Sequence, residues 1–566
     1  MITFAPMPPL AVPRQSISRL TLAAIALSAL ALVLSPSASL AQTALAHTED
    51  AAPVPRGAVR LTISNGWTRY DSRFGEAGIA RGLGDELSTD SLGPRELPTL
   101  APVEAGFQTL ANNPAQRLTF GKLDVRSDAR IVTTPIAIEY GITRRLSFGV
   151  LVPLVQTRRS VQLRVNEHTA TDSVRRGNSG VIPFARRADA AASNAAIVTA
   201  LTTASANLTE LLARCAVNSS AAECNPIRGQ EAAAAAAARR AAEFAAGVRT
   251  AYGVTEQTAV VAPLVGSQLA AEIEAQRAAL ASQLATFGSG LGIGTLFNAP
   301  TEFGYADFQG RNGVPGLLQS AFGGGLDSIR TTERVGIGDV ELRASLLLLD
   351  HMQRDTLAQR GLRYRVGVGG SFRFATSKSD SASNLMDIGT GDGGGAEVRS
   401  AVDVLVGRVG ATIAARYATS FARIVDAALV GFPEGGYPYP SFGPVSRKGG
   451  NVLGIDVSPR VFLGEWLSFE GQYAFEHTGI PTFSGAVGED CSGCAPLPSS
   501  ILPAARTVQR AGVGLRYSTI DSFLRGRARY PIEVSYRHLE TITADAGAPK
   551  IFRDQIQLRL FYRARR

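Results

Sequence analysis

Through the last 230 or so residues, apolar and polar side chains alternate along one segment after another. In Trp466–Glu476, Leu467, Phe469, Tyr473 and Phe475 fall on one side, and Ser468, Glu470, Gln472 and Glu476 on the other. A period of two, with aromatics on one face and charges on the other, marks a β-strand with one face in an apolar medium. The same pattern predicts strands over Ala58–Tyr70, Arg130–Tyr140, Leu146–Gln156, Gly336–Leu349, Leu362–Phe374 and Ala396–Val406. It continues over Val409–Ser420, Val452–Leu463, Leu467–His477, Val508–Ser518, Tyr530–Glu540 and Asp554–Arg563. At about 10–14 residues, each is long enough to cross a bilayer at a tilt.

The connections sort into two sets. Residues 141–145, 350–361, 407–408, 464–466 and 519–529 are short or moderate, whereas the others, including 71–129, 157–335 and 478–507, are generally longer. Alternating short turns and long loops, with both termini on the short side, is the habit of transmembrane barrels of the outer membrane. The fold class predicted is an all-β, up-and-down transmembrane barrel of about twelve antiparallel strands. Closure leaves no backbone group unpaired in lipid. Leaving out the first three strands would give an odd count, which single-chain bacterial barrels disfavour. Tyr140, Tyr417, Tyr473, Tyr517 and Tyr562 lie near strand ends, as an interfacial girdle does. A soluble β-sandwich also alternates, but with less aromatic faces and less regular connections.

Two stretches break the pattern. Arg14 and Arg19 precede an apolar run, Leu20–Leu34, and a small-residue site at Ser39-Leu40-Ala41, which reads as a signal peptide over residues 1–41. Between the third and fourth strands, residues 157–335 turn Ala-rich. Ala188–Cys215, Arg228–Gly247 and the run bearing Leu269, Ile273, Leu280, Leu284 and Phe287 have helical spacing. Strand parity puts this helical insertion on the outer surface, either as a cap or partner-binding surface over the mouth or as a plug with one helix in the lumen; a third reading is a loosely ordered filler. The resulting division is 1–41 signal peptide, 58–156 strands 1–3, 157–335 insertion and 336–566 strands 4–12.

The formal charge of +9 comes almost wholly from arginine, and no basic-aromatic recognition motif accompanies it, so nucleic acid is not expected as a partner. Alternation turns many charges inward. Arg343, Arg363, Arg365, Arg373, Arg399, Arg416, Arg460, Arg516, Glu341 and Glu470 are the lumen-lining candidates. For any one of them, a structural ion pair is the simpler role. As a set, arginine exceeds acid and predicts a mild anion preference. Leu151, Val155, Leu347, Leu405 and Phe462 interrupt the polar lining, where an apolar permeant has something to touch.

The four cysteines form two local pairs, Cys215 with Cys224 and Cys491 with Cys494, which in an exported chain read as two disulfides. The Gly-rich run Asp387–Gly395 has the look of a hairpin loop; Asp387 and Asp392 also suit a Ca²⁺ site. The five histidines have no metal-ligand spacing, and no Ser-His pair has an orienting partner nearby. Neither catalytic residues, a metal nor a cofactor is expected.

Glu139–Leu154, Gly336–Arg343 followed by Leu346–Asp350, and Asn384–Asp392 together resemble a family of transporter-type outer-membrane barrels known under the phenol-degradation "MetA-pathway" heading. The resemblance covers about two thirds of the mature chain. It implies an outer-membrane channel for small apolar or aromatic molecules, with outer-membrane lipid and the barrel-assembly machinery as partners. The helical insertion and the end at Arg563-Ala-Arg-Arg566, past Tyr562, depart from that pattern. The alternative function is a closed scaffold that displays its helical domain for adhesion or partner binding.

Overall fold

The computed structural model describes residues 51–563 except 53, 76–77, 168–176, 290–291, 321, 323–326, 353–360, 379–383, 385, 392, 429–441, 485–504 and 525. The signal-peptide reading and Asp392 lie outside the described residues.

Twelve strands close into an antiparallel barrel: β1 Ala58–Tyr70, β2 Leu123–Gly141, β3 Leu146–Val165, β4 Glu341–Asp350, β5 Leu362–Arg373 and β6 Gly395–Val406, then β7 Val409–Ser420, β8 Val452–Phe462, β9 Leu467–Thr478, β10 Arg506–Ser518, β11 Ile532–Ala544 and β12 Phe552–Arg563. Each pairs with its sequence neighbours, and β1 closes the ring on β12 through Ala58↔Arg563 to Arg69↔Phe552. The thirteenth strand of the sheet, Thr332–Ile337, pairs with β3 beyond β4. Alternation sorts the faces. Ile138, Phe148, Phe372, Val398, Phe469, Leu515 and Ile556 are all exposed on the outside, while Arg60, Ser64, Glu139, Glu470, Arg510, Glu533 and Arg559 are buried inside. Tyr140, Tyr517 and Tyr562 ring the end bearing the short turns and Tyr417 lies toward the end bearing the long loops, whereas Tyr473, expected near a strand end, falls in the middle of β9.

Two elements differ from the sequence-based expectation. The single strand expected over Gly336–Leu349 is broken at residues 338–340. There the buried Asp339 turns aside, accepting hydrogen bonds from Ser377 N (3.0 Å) and Gly393 N (2.8 Å). And β2 and β3 run well past Arg130 and Gln156. Their nineteen-pair register, from Gly141↔Ser147 to Leu123↔Val165, carries a two-stranded ribbon out beyond the barrel rim.

The ribbon ends in a helical domain drawn from two excursions of the chain. Residues 157–335 supply α2 Arg187–Val217, α3 Glu231–Ala251 and α4 Gln268–Thr286; the β1–β2 connection supplies α1 Ala101–Ala111. Leu92, Phe107, Leu110 and Phe120 from that connection share one core with Ile197, Leu201, Phe244, Val248 and Leu284. The alanine run has a purpose: Ala234, Ala237, Ala238, Ala241 and Ala245 are buried at three- and four-residue spacing, which lets α2 approach closely. Asn194 Nδ2 donates to the carbonyls of Tyr252 and Gly253, satisfying the C-terminal end of α3.

Of the two disulfides expected from the sequence, the structure shows one. Cys215 and Cys224 are joined between the end of α2 and the turn before α3. The second expected disulfide is not among the bonds described: Cys491 and Cys494 both fall in residues 485–504, outside the described residues.

The α1–α3 crossing depends on glycine. A Cβ on Gly106 would lie 2.8 Å from the Ala251 Cβ, and one on Gly247 3.0 Å from Leu110. Gly106→Val is expected to force the helices apart and cost the domain about 1–3 kcal/mol. Thermal melting followed by helical circular dichroism checks this, with the barrel's heat-modifiable gel mobility unchanged.

Candidate functional site

The concave space along the barrel axis is the lumen, and it is lined by the inward positions of all twelve strands. Its walls are charged because every second residue points inward, and many of those charges pair with one another. Glu470, 3% exposed, lies 2.7 Å from Arg460, 3.1 Å from Arg537 and 3.6 Å from Arg516. Glu533 engages Arg516 and Arg559, and Glu476 engages Arg416 (2.7 Å) and Arg510 (3.5 Å). Three carboxylates thus engage six guanidiniums; Glu397, 3.8 Å from Arg416, adds a fourth acid.

The remaining sequence candidates take local partners. Arg343 pairs with Glu341 (2.8 Å) and Arg365 with Asp350 (3.4 Å). Arg363 donates to the Gly407 carbonyl near the turn end, and Arg399 to Ser345 Oγ. Arg373 stands at the loop end, its guanidinium over Gly395. One inward arginine lies just outside the strand boundary read from the sequence: Arg553, 5% exposed, rests on Gly66 and has no ion-pair partner within 4.0 Å among the described residues.

Toward the turn end the lumen opens into a cavity of about 580 Å³. Leu405, Phe462 and Phe561 give it apolar wall, Ile520 and Phe523 of the short helix Ile520–Leu524 cover its mouth, and Arg60, Arg460, Arg516 and Arg559 edge it. Trp466 Nε1 donates to Ser522 Oγ (2.9 Å) and holds that helix across the opening. Of the apolar candidates, Leu405 and Phe462 line this cavity, whereas Leu151 and Val155 are buried in the wall further along.

At mid-height the space shrinks to about 50 Å³. The reason is a segment with no periodic signal at all. Ala51 N donates to Asp403 Oδ2 (3.0 Å), the Ala52 carbonyl accepts from Arg60 Nη1 (3.3 Å), and Val54 is fully buried. Gly57 N donates to the Gly141 carbonyl (2.8 Å), which fixes the segment where it enters beside β2. Ala51, Ala52 and Val54 therefore sit inside the barrel, with Ala51 against Gly367 of β5.

At the loop end, residues 386–388 of the β5–β6 connection lie on the inner side of the extended wall. Thr157 Oγ1 donates to the Ile388 carbonyl (2.9 Å), Arg334 pairs with Asp387 (2.6 Å), and Met386 joins the core of the helical domain. Asp387 thus faces a guanidinium, so it serves as an anchor between barrel and domain.

No family model matches the chain, and no curated protein matches it. Among solved structures, an outer-membrane channel from Pseudomonas putida F1 is similar at 8% identity over 91% of this chain and 99% of that one, with a TM-score of 0.39. A TodX monoaromatic hydrocarbon channel deletion mutant is similar at 11% identity, 94% and 95% coverage and a TM-score of 0.27. A Pseudomonas aeruginosa FadL homologue is similar at 9%, 89% and 90%, and 0.27. Superpositions this loose leave function to be argued from the residues above.

Glu470→Gln would leave three guanidiniums facing a neutral, buried group. Removing one partner of a buried ion pair costs about 3–5 kcal/mol. Glu210→Gln, which breaks an exposed pair with Arg214 on the helical domain, is expected to cost less than about 1 kcal/mol. Urea unfolding of the two variants in the same detergent compares them.

Proposed function

We propose that this chain is an outer-membrane channel that passes small molecules of apolar or aromatic body, with residues 51–57 as a stopper in its lumen. Support for the location comes from the outward face. On three adjacent strands the outward positions read Val59, Leu61, Ile63, Asn65 and Trp67; Tyr140, Ile138, Ile136, Thr134 and Val132; and Phe148, Val150, Val152, Leu154 and Gln156. Eight residue steps at about 3.3 Å are about 26 Å along a strand. At a tilt of about 40° they give about 20 Å of height, close to the apolar band of outer-membrane barrels.

The observation that carries the transport reading is the cavity of about 580 Å³ inside this belt, walled by Leu405, Phe462 and Phe561 and edged by arginines. It has the size and the mixed lining of a small-molecule site. The arginine excess favours permeants bearing a negative or acceptor group. Hydrogen bonds at Ala51, Ala52 and Gly57 and the burial of Val54 hold the stopper in place. A closed display scaffold is the second reading, and the narrowing to about 50 Å³ at mid-height favours it.

Gly141 separates the two. A Cβ there would lie 2.2 Å from the Pro55 carbonyl oxygen and 2.5 Å from that of Val54. Gly141→Val is expected to expel the segment and raise single-channel conductance several-fold over the parent in planar bilayers. A chain lacking residues 42–55 is expected to do the same. Silence in all three, with each barrel heat-modifiable on gels, would overturn transport and leave display.

A further inference from the structure

The belt on β1–β3 stops at a row of arginines. Arg69 of β1 stands directly opposite Arg130 of β2, and Arg130 directly opposite Arg158 of β3. All three are on the outward face and exposed, Arg130 with 72% of its side chain accessible. The neighbouring row on the membrane side is Trp67, Val132 and Gln156, continuing to Val335 on the short strand. Trp67 is 41% and Val335 75% exposed on that face. The guanidiniums therefore begin where the apolar belt ends, at the edge carrying the long loops.

Like charges directly opposite one another weaken a sheet, so this row does not stabilise the ribbon. Acids beside the row offset part of its charge, and all of them are shared or exposed. Asp128 lies 3.6 Å from Arg130 on the same strand. Glu333, opposite Arg158 at the end of the row, accepts a hydrogen bond from Gln156 Nε2 (2.8 Å). Asp554, in the Trp67 row, is hydrogen-bonded with His538 Nδ1 (2.9 Å) and Tyr536 OH (2.8 Å). On the far side, Arg69 lies 5.8 Å over the Phe552 ring, and Lys550, itself 3.7 Å from Glu540, lies 5.6 Å over the same ring. Three guanidiniums on strands about 4.8 Å apart span about 10 Å. Planar forks on that spacing suit tetrahedral oxyanions, which arginine holds bidentately.

We propose that Arg69, Arg130 and Arg158 form a binding site for the phosphate groups of a phosphorylated glycolipid in the outer leaflet, with Trp67 and Val132 against its acyl chains. This rests on the outer-membrane reading above. The occupant is a lipid because the row borders the apolar belt: a ligand reaching it from the membrane offers acyl chains to Trp67 and phosphate to the arginines at once. Juxtamembrane cations contribute about 1 kcal/mol each toward anionic lipid.

The test uses the full chain purified in a non-ionic detergent, with diphosphorylated lipid A titrated in and bound lipid read by native mass spectrometry. The parent is expected to bind at least tenfold more tightly than the R69Q/R130Q/R158Q variant. R130Q alone should lose most of that difference, because it removes the central fork, and its fold is safe because it relieves repulsion. Arg126→Gln and Arg164→Gln, higher on the same ribbon, should leave binding unchanged. Equal affinity for lipid A stripped of its phosphates, equal binding by R130Q, or equal loss in the two control variants would overturn the proposal. So would displacement of the lipid by inorganic phosphate at matching concentration, which would make the free ion the ligand. A parent chain that forms no heat-modifiable, protease-resistant barrel in vesicles would sink the outer-membrane reading instead. An inserted barrel indifferent to lipid phosphate sinks only this site.

Discussion

The fold depends on one constraint: every strand's backbone N–H and C=O groups find partners within a closed ring. Pairing β1 with both β2 and β12 meets it for the whole ring. Closure then dictates the interior. Half of the residues of twelve strands point into a narrow tube, and those side chains must satisfy one another. Glu470 among Arg460, Arg516 and Arg537 is the result: a carboxylate 3% exposed, stabilised by guanidiniums from β8, β10 and β11. The belt outside and the ion pairs inside are two consequences of the same alternation.

How much of this was legible in the chain follows from the range of each interaction. The strands were legible because a period of two is local, and the boundaries of β1 and β7 fall where the alternation starts and stops. Which charges point inward was legible by parity. Their partners were not, since Glu470 meets residues 10, 46 and 67 positions away. The extension of β2 and β3 escaped because hydrogen bonding continues past the belt while the apolar signal ends; beyond Arg130 the outward residues are Asp128 and Arg126, which read as loop. Arg553 escaped by one residue of strand boundary. The lumen segment bearing Ala51, Ala52 and Val54 has no period and a single neighbouring charge, Arg56, so nothing but its contacts identifies it.

The helical domain shows the same limit from the other side. Its three long helices were legible from composition and spacing, and the disulfide between Cys215 and Cys224 from their separation of nine residues. Its core, however, was assigned to one excursion of the chain. Phe107, Leu110 and Phe120 of the β1–β2 connection complete that core. Phe107 meets the Tyr252 ring edge-on at 5.5 Å, and Phe120 packs on Phe303 at 4.7 Å. A chain cut to remove residues 165–330 would leave Leu92, Phe107 and Phe120 uncovered, so barrel and domain are one folding problem. The ribbon and the loop bearing Met386 and Asp387 join them at two places. A hinge at either one alone is therefore opposed by the other.

Arginine is used in three ways along the same wall, and burial decides among them. Inside, Arg416 and Arg510 share Glu476, which offsets the cost of burying their charges. At the ribbon's inner face, Arg334 holds Asp387 and ties a loop across the mouth. Outside, Arg69, Arg130 and Arg158 stand in line with water on one side and the belt on the other, so no partner is needed to keep them charged. Desolvation forces the first group to be satisfied within the fold. It makes no such demand on the third, and for that reason the outward row is the one left able to bind something else.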